Sequence, residues 1–218
     1  MKSANFLAAA AVALAAGSAG ASTIYSNGPY NGQVDAFTIN FGISAADSFT
    51  GSGVATGANF VSWNFVGDTP ESVDWEITSG NPLSGGGFTV LGSGTATIGS
   101  SLIAGSPNKY GYDLYSDTIS FSGVTLAGGD YWFVLSNATD TGGDPMYWDD
   151  NNGPSSAWSS IFGDLTNDSN AFDPGSNSEA FSILGGGAPE PATWDLVLAG
   201  FAGLGSALRL RRTRPAAV

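Results

Sequence analysis

The chain has 218 residues, six basic side chains against 19 acidic ones, a formal net charge of −13, and no cysteine or histidine. That composition excludes disulfides, thiol nucleophiles and thiolate metal sites, and it removes the commonest general base. The negative charge argues against a nucleic-acid partner, whose backbone needs Lys and Arg to displace its counterions.

The first segment, residues 1–21, opens with Met1 and Lys2 and continues into the apolar run FLAAAAVALAA. Ala19-Gly20-Ala21 then places small residues at the −3 and −1 positions before Ser22. A cationic start, a short apolar stretch and a small-residue cleavage site make a secretory signal peptide, expected as a helix and cut by signal peptidase before Ser22. The chain is therefore expected outside the cytoplasm.

Residues 22–184 form the body. Apolar and polar residues alternate there with period two, between clusters of Gly, Asn, Asp, Ser and Pro. Phe37, Ile39 and Phe41 are expected on one strand face. Val61, Trp63 and Phe65 define a second strand over 59–66, and Val73, Trp75 and Ile77 a third over 72–78. Further strands are predicted over 88–91, 95–98, 110–114, 118–121, 131–136, 146–148 and 180–184. The body lacks a helical stripe of ten residues, and turn signals recur there every eight to 15. The pattern predicts an all-β domain, a two-sheet antiparallel sandwich of jelly-roll-like type.

Six Trp, seven Tyr and 13 Phe supply a packed core. Trp63, Trp75 and Trp132 lie in alternating strands and read as core. Tyr147, Trp148 and Trp158 border the polar stretch DPMYWDDNNGPSSAW and are the candidate carbohydrate-binding residues. Pyranose C–H faces stack on exposed indole and phenol rings. Asp144, Asp149, Asp150 and Asn152 offer hard oxygen ligands of the kind Ca²⁺ takes as a cofactor. A second group is Asp164, Asn167, Asp168, Asn170 and Asp173. Neither matches an EF-hand loop, and both Asn and Asp also favour turns.

No phosphate-binding loop, dinucleotide fingerprint or nucleophile elbow is present, and Ser or Thr would lack a His to activate it. The remaining catalytic alternative is glycoside hydrolysis by a carboxylate pair. The expectation is a protein that is not an enzyme.

The chain ends in three parts. A linker, 185–193, runs Gly185-Gly186-Gly187-Ala188-Pro189-Glu190-Pro191-Ala192-Thr193. An apolar stretch, 194–208, follows from Trp194 and is expected as a short transmembrane helix, brief against a hydrocarbon core of about 30 Å. The tail, 209–218, carries Arg209, Arg211, Arg212 and Arg214, which would stay cytoplasmic. Pro189-Glu190-Pro191-Ala192-Thr193-Trp194, the small-residue apolar run and the arginines, in this order, resemble the PEP-CTERM sorting signal of Gram-negative bacteria. That motif is also catalogued as an ice-binding-protein C-terminal motif. The resemblance implies passage through the inner membrane, handling by an exosortase-type enzyme near Pro-Glu-Pro, and delivery to the cell surface or an extracellular polysaccharide matrix. Asp195 departs from the pattern, as an acid where the family carries an apolar residue.

Within the body, Gly129-Asp130-Tyr131-Trp132, Tyr147-Trp148-Asp149 with Asn151 to Ser155, and Ser178-Glu179-Ala180-Phe181 resemble a layout often seen beside such signals. Between Ser22 and Ala188 the sole basic residue is Lys109, against 17 carboxylates. The sequence therefore points to an exported surface or matrix protein presenting an acidic sandwich, with polysaccharide binding, Ca²⁺-assisted or not, as the alternative.

Overall fold

The computed structural model describes residues 21–84, 86–161, 164–167 and 178–186. Ala19, the sorting motif Pro189–Trp194, the expected membrane segment 194–208 and the arginine cluster lie outside them, as does the expected signal helix to residue 20. So do Asp168, Asn170 and Asp173.

Two long strands organise the fold. One, β3 (Ser44–Phe65), and the other, β7 (Tyr112–Asp140), pair antiparallel from Ser44↔Ser136 to Phe65↔Tyr112. Two register shifts, at Thr50/Ser52 and Ala55/Gly57, interrupt the ladder and bend the ribbon. Opposite the first shift, Gly128 and Gly129 take φ of +98° and +133°, values that side chains resist. A Cβ at Gly57 would lie 2.5 Å from the Ile119 carbonyl oxygen, so the second bulge also requires glycine.

Each half of the ribbon carries its own strands. The first half of β3 pairs with β9 (Ala157–Ile161), which pairs with β10 (Asp164–Asn167). Alongside it, the second half of β7 pairs with β4 (Pro70–Ser79), and β4 pairs with β5 (Thr89–Thr97). The other half of the ribbon pairs with β12 (Phe181–Gly185) on one side and β6 (Gly99–Leu102) on the other; β1 (Ser22–Ser26) extends it beyond β12. Finally, β8 (Tyr147–Asn151) joins the end of β3 and pairs with β2 (Ala36–Thr38) and β11 (Ser178–Glu179).

Rings from the two halves meet in the core. Phe133 stacks on Phe181 with centroids 5.7 Å apart, and Trp75 stacks on Phe121 at 4.0 Å. Such contacts make the bent ribbon a sandwich-like, all-β fold with antiparallel pairing throughout. Phe49, Phe60, Phe133, Trp148 and Phe181 fill its centre, with Val73, Trp75 and Ile77 on the predicted face of β4. Burying a ring of this size contributes about 1.5–3 kcal/mol through the apolar area removed from water. Ala21–Gly186 make up one compact unit, with no helix among its described residues.

Three expectations need correction. The strands expected over 110–114, 118–121 and 131–136 merge into β7, which starts only at Tyr112, and those over 88–91 and 95–98 merge into β5 between Thr89 and Thr97, because the intervening glycines sit inside strands as bulges or beneath rings. Phe41 does not share the face of Ile39. It is 61% exposed at φ +54°, in a turn closed by the Ile43 amide donating to the Asn40 carbonyl. Trp63 is buried, but outside the main core, and Trp132, also expected in the core, is half-buried between the core residues Tyr131 and Phe133. The core face of β3 runs through Ala58 and Phe60, while Trp63 and Phe65 occupy the opposite face.

Candidate functional site

Trp63 is where this second face becomes a site. Its indole is only 4% exposed because tyrosines from another element cover it. Tyr110 stacks on it at 5.8 Å and 27° between planes, and Tyr112 tilts against it at 5.9 Å. Tyr112 in turn meets Tyr147 edge-on at 5.4 Å and Phe65 at 5.2 Å. The result is a cleft of about 450 Å³ lined by Val34, Asp35, Trp63, Tyr110, Tyr112 and Tyr147. Tyr110 is 53% and Phe65 40% exposed, so the aromatic surface continues past the cleft into solvent.

Local chemistry fixes each wall. The floor rests on Asp149, fully buried on β8, which accepts the Trp63 Nε1–H at 2.6 Å and the amides of Asn31 and Gly32, each at 2.7 Å. Burial pushes this carboxyl up to about 7, against the pull of those donors. Asn108 ties the Tyr110 loop down: its Nδ2 donates to the Gly32 carbonyl, and its Oδ1 accepts the Tyr110 and Tyr112 amides. The Tyr110 hydroxyl donates to the Val34 carbonyl at 3.3 Å. Burial and the neighbouring Tyr112 push the Tyr147 phenol up to about 12, so it stays protonated at ordinary pH. Lys109 Nζ lies 4.8 Å from the Tyr110 ring centroid.

A larger depression, about 630 Å³, lies beside Asn27, Tyr30, Asn31, Asn151, Asn152 and Pro154. It is bounded by polar turns and backed by a buried network. Asp47 Oδ2 accepts Asn27 Nδ2 at 3.1 Å, Ser155 Oγ at 2.7 Å and the Glu179 amide at 2.6 Å. Burial pushes Asp47 up to about 7. Those bonds join the end of β1, β3, the turn after β8 and β11, which is a structural role. Of the two depressions, the aromatic cleft is the better candidate site because it combines a cluster of aromatic rings with phenol hydroxyls and the Asp35 carboxylate.

Of the three residues expected to bind carbohydrate, only Tyr147 belongs to the cleft. Trp148 is its neighbour on β8 and points the other way. It is fully buried against Phe60, Phe133 and Phe181, with its Nε1–H donating to the Ala180 carbonyl at 3.0 Å. It therefore offers no face to a sugar. Trp158 is half-buried on β9, paired with Ala46 at the opposite end of β3 from Trp63.

The four expected oxygen ligands are not brought together either. Asp144 and Asn152 are exposed, whereas Asp149 and Asp150 are fully buried and, as strand neighbours, point to opposite faces. Asp150 lies opposite Glu179 in the ladder. Among the described residues no group of three or more acidic side chains is placed to hold a metal ion.

Sequence reasoning missed Trp63, Tyr110 and Tyr112 as site residues. The available signal was Lys109-Tyr110-Gly111-Tyr112, two tyrosines beside the body's one lysine. No protein-family model matches the chain, and no curated protein matches it.

Proposed function

We propose that the chain is an exported surface or extracellular-matrix protein, not a catalyst, whose acidic sandwich holds polysaccharide in the Trp63–Tyr110–Tyr112–Tyr147 cleft. What supports this reading is the cleft: half-exposed Tyr110 and the partly buried Tyr112 and Tyr147 supply aromatic surface for pyranose C–H groups, with phenol hydroxyls and Asp35 beside them for sugar hydroxyls. Export and sorting rest on the terminal segments. Signal peptidase acts before Ser22, the residue at which β1 begins. An exosortase-type enzyme then acts near Pro189-Glu190-Pro191 while segment 194–208 sits in the inner membrane and Arg209 to Arg214 remain inside. The bent β3–β7 ribbon fits a jelly-roll-like winding of the body.

Two experiments test the two halves of the proposal. A tagged chain should reach the cell surface, and deletion of 189–218 should abolish that delivery; cytoplasmic retention of the intact chain refutes the sorting. On a glycan array, with and without chelator, the exported protein should retain polysaccharide. Retention of none refutes the binding, and loss with chelator assigns a role to Ca²⁺.

A further inference from the structure

We infer that β5 is a self-association edge: two copies of the chain join across a two-fold axis by antiparallel pairing of their β5 strands, which makes one sheet of two. The inference is independent of the saccharide and sorting readings.

The strand is open for pairing. β5 ends its strand path and pairs with β4 alone among the described residues. Alternate residues of an antiparallel strand turn their N–H and C=O away from the partner, so an end strand of this length presents about four residues with unpaired groups. Seven of its nine residues are exposed. A register shift between Ile77 and Thr78 leaves Leu91 unpaired, but 92–97 pair with β4 without interruption. Bulky side chains do not shield this run. On the inner face a Cβ at Gly92 would lie 2.5 Å from Val124 Cγ2, and Trp75 lies against both Gly92 and Gly94. The other face carries only Ser93, Thr95 and Thr97.

Charge names the partner. Edge strands are commonly kept apart by lysines, prolines or inward-pointing charges. β5 has none of these, and it lies within 77–108, the longest uncharged stretch of a body that carries 17 carboxylates and one lysine. Two copies repel each other over most of their surfaces, and this stretch lets them meet without bringing carboxylates together. Asp74 and Glu76 stand one strand further in, on β4, and Thr95 Oγ1 and Asn137 Nδ2 both donate to the Asp74 carboxylate. In the joined sheet the two β4 strands are three strand spacings apart, roughly 14 Å. That exceeds the screening length of about 8 Å at physiological salt. A strand paired with its own copy across a two-fold is necessarily antiparallel, so each copy offers the other the same donors and acceptors. β1, at the other end of the path, is only five residues long.

The test is sedimentation velocity of the exported protein from about 1 to 200 µM, with hydrogen exchange read by mass spectrometry at both ends of that range. A monomer–dimer equilibrium is expected, with β5 amides better protected at the higher concentration. Ser93→Lys and Ser93→Glu, at an exposed position, should each weaken the dimer at least about tenfold, because both copies bring the same charge to the seam. Val66→Lys, in the exposed turn after β3, should leave it unchanged. A chain that stays monomeric to 200 µM overturns the inference. So does a dimer that tolerates both Ser93 variants, or one whose formation leaves β5 exchange unchanged. Growth beyond the dimer overturns the two-fold pairing, since it requires β5 to meet a different edge.

Discussion

Neutralising one buried carboxyl should change how stability depends on pH, and Asp47→Asn is the cleanest such perturbation. Asp47 is fully buried, and burial raises it from the ordinary 3.8 to about 7 even with hydrogen bonds from Asn27, Ser155 and the Glu179 amide. Between these values the folded chain holds a proton that the unfolded chain has released. Stability from this group is therefore fully present below about pH 4, is lost as pH rises through about 7, and is flat above. At about 1.4 kcal/mol per pKa unit the loss is on the order of 4 kcal/mol, a large share of a typical domain's roughly 5–15 kcal/mol. The asparagine keeps an acceptor for the three donors and cannot ionise. Its amide nitrogen falls near Asp47 Oδ1, a buried atom with no hydrogen-bond partner among the described residues. Urea unfolding followed by tryptophan fluorescence at pH 4.5, 6 and 8 in 0.3 M salt gives both stabilities. The variant-minus-wild-type difference should shift in favour of the variant by roughly 2–4 kcal/mol from pH 4.5 to 8. The surface acids titrate alike in both proteins and cancel. A difference constant to within about 0.5 kcal/mol would refute the assignment.

Other outcomes follow from the same structure. Trp148→Ala empties the centre of the core and should cost about 3–5 kcal/mol, whereas half-buried Trp158→Ala should cost much less; thermal melts of the two separate them. Asp149→Asn should weaken the Trp63 indole hydrogen bond, cost about 1–3 kcal/mol and alter the Trp63 indole N–H resonance in NMR. Gly57→Ala forces a methyl against the Ile119 carbonyl at 2.5 Å and should destabilise by about 2 kcal/mol or more, measured by the urea midpoint. For Asp117, which burial raises to about 6 against bonds from Ser62 and Ser100, Asp117→Asn should remove a smaller share of the pH dependence, confined below about pH 6.

The body's fold class was legible because alternation survives wherever large residues mark it, as at Val73, Trp75 and Ile77. It failed where glycine and alanine carry the strand. The first half of β3, SAADSFTGSGVATGA, offers almost no contrast between faces, yet it is paired on both sides for part of its length. Glycine was read as a turn signal, but at Gly57 it permits a bulge where β7 comes too close for a side chain. The site was legible only in part, for a related reason. Alternation reveals that Tyr147 and Trp148 face opposite ways but not which way is inward. The choice is made by what packs on each face: Tyr112 meets Tyr147 on one side, and Phe133 and Phe181 meet Trp148 on the other. Trp63 was read as core because it alternates correctly; its face is closed by tyrosines that arrive from β7 and the loop before it.

The long ribbon also sets the order of events during synthesis. Ser44 finds its partner only when Ser136 has emerged, and the core closes only when Phe181 arrives from the end of the body. Loop closure over such distances is slow, and little rewards it until both strands are present. Under the proposed export, a chain threaded across a membrane from its amino end would gain little by folding early: most of its sheet and core would form together, once nearly the whole body had crossed.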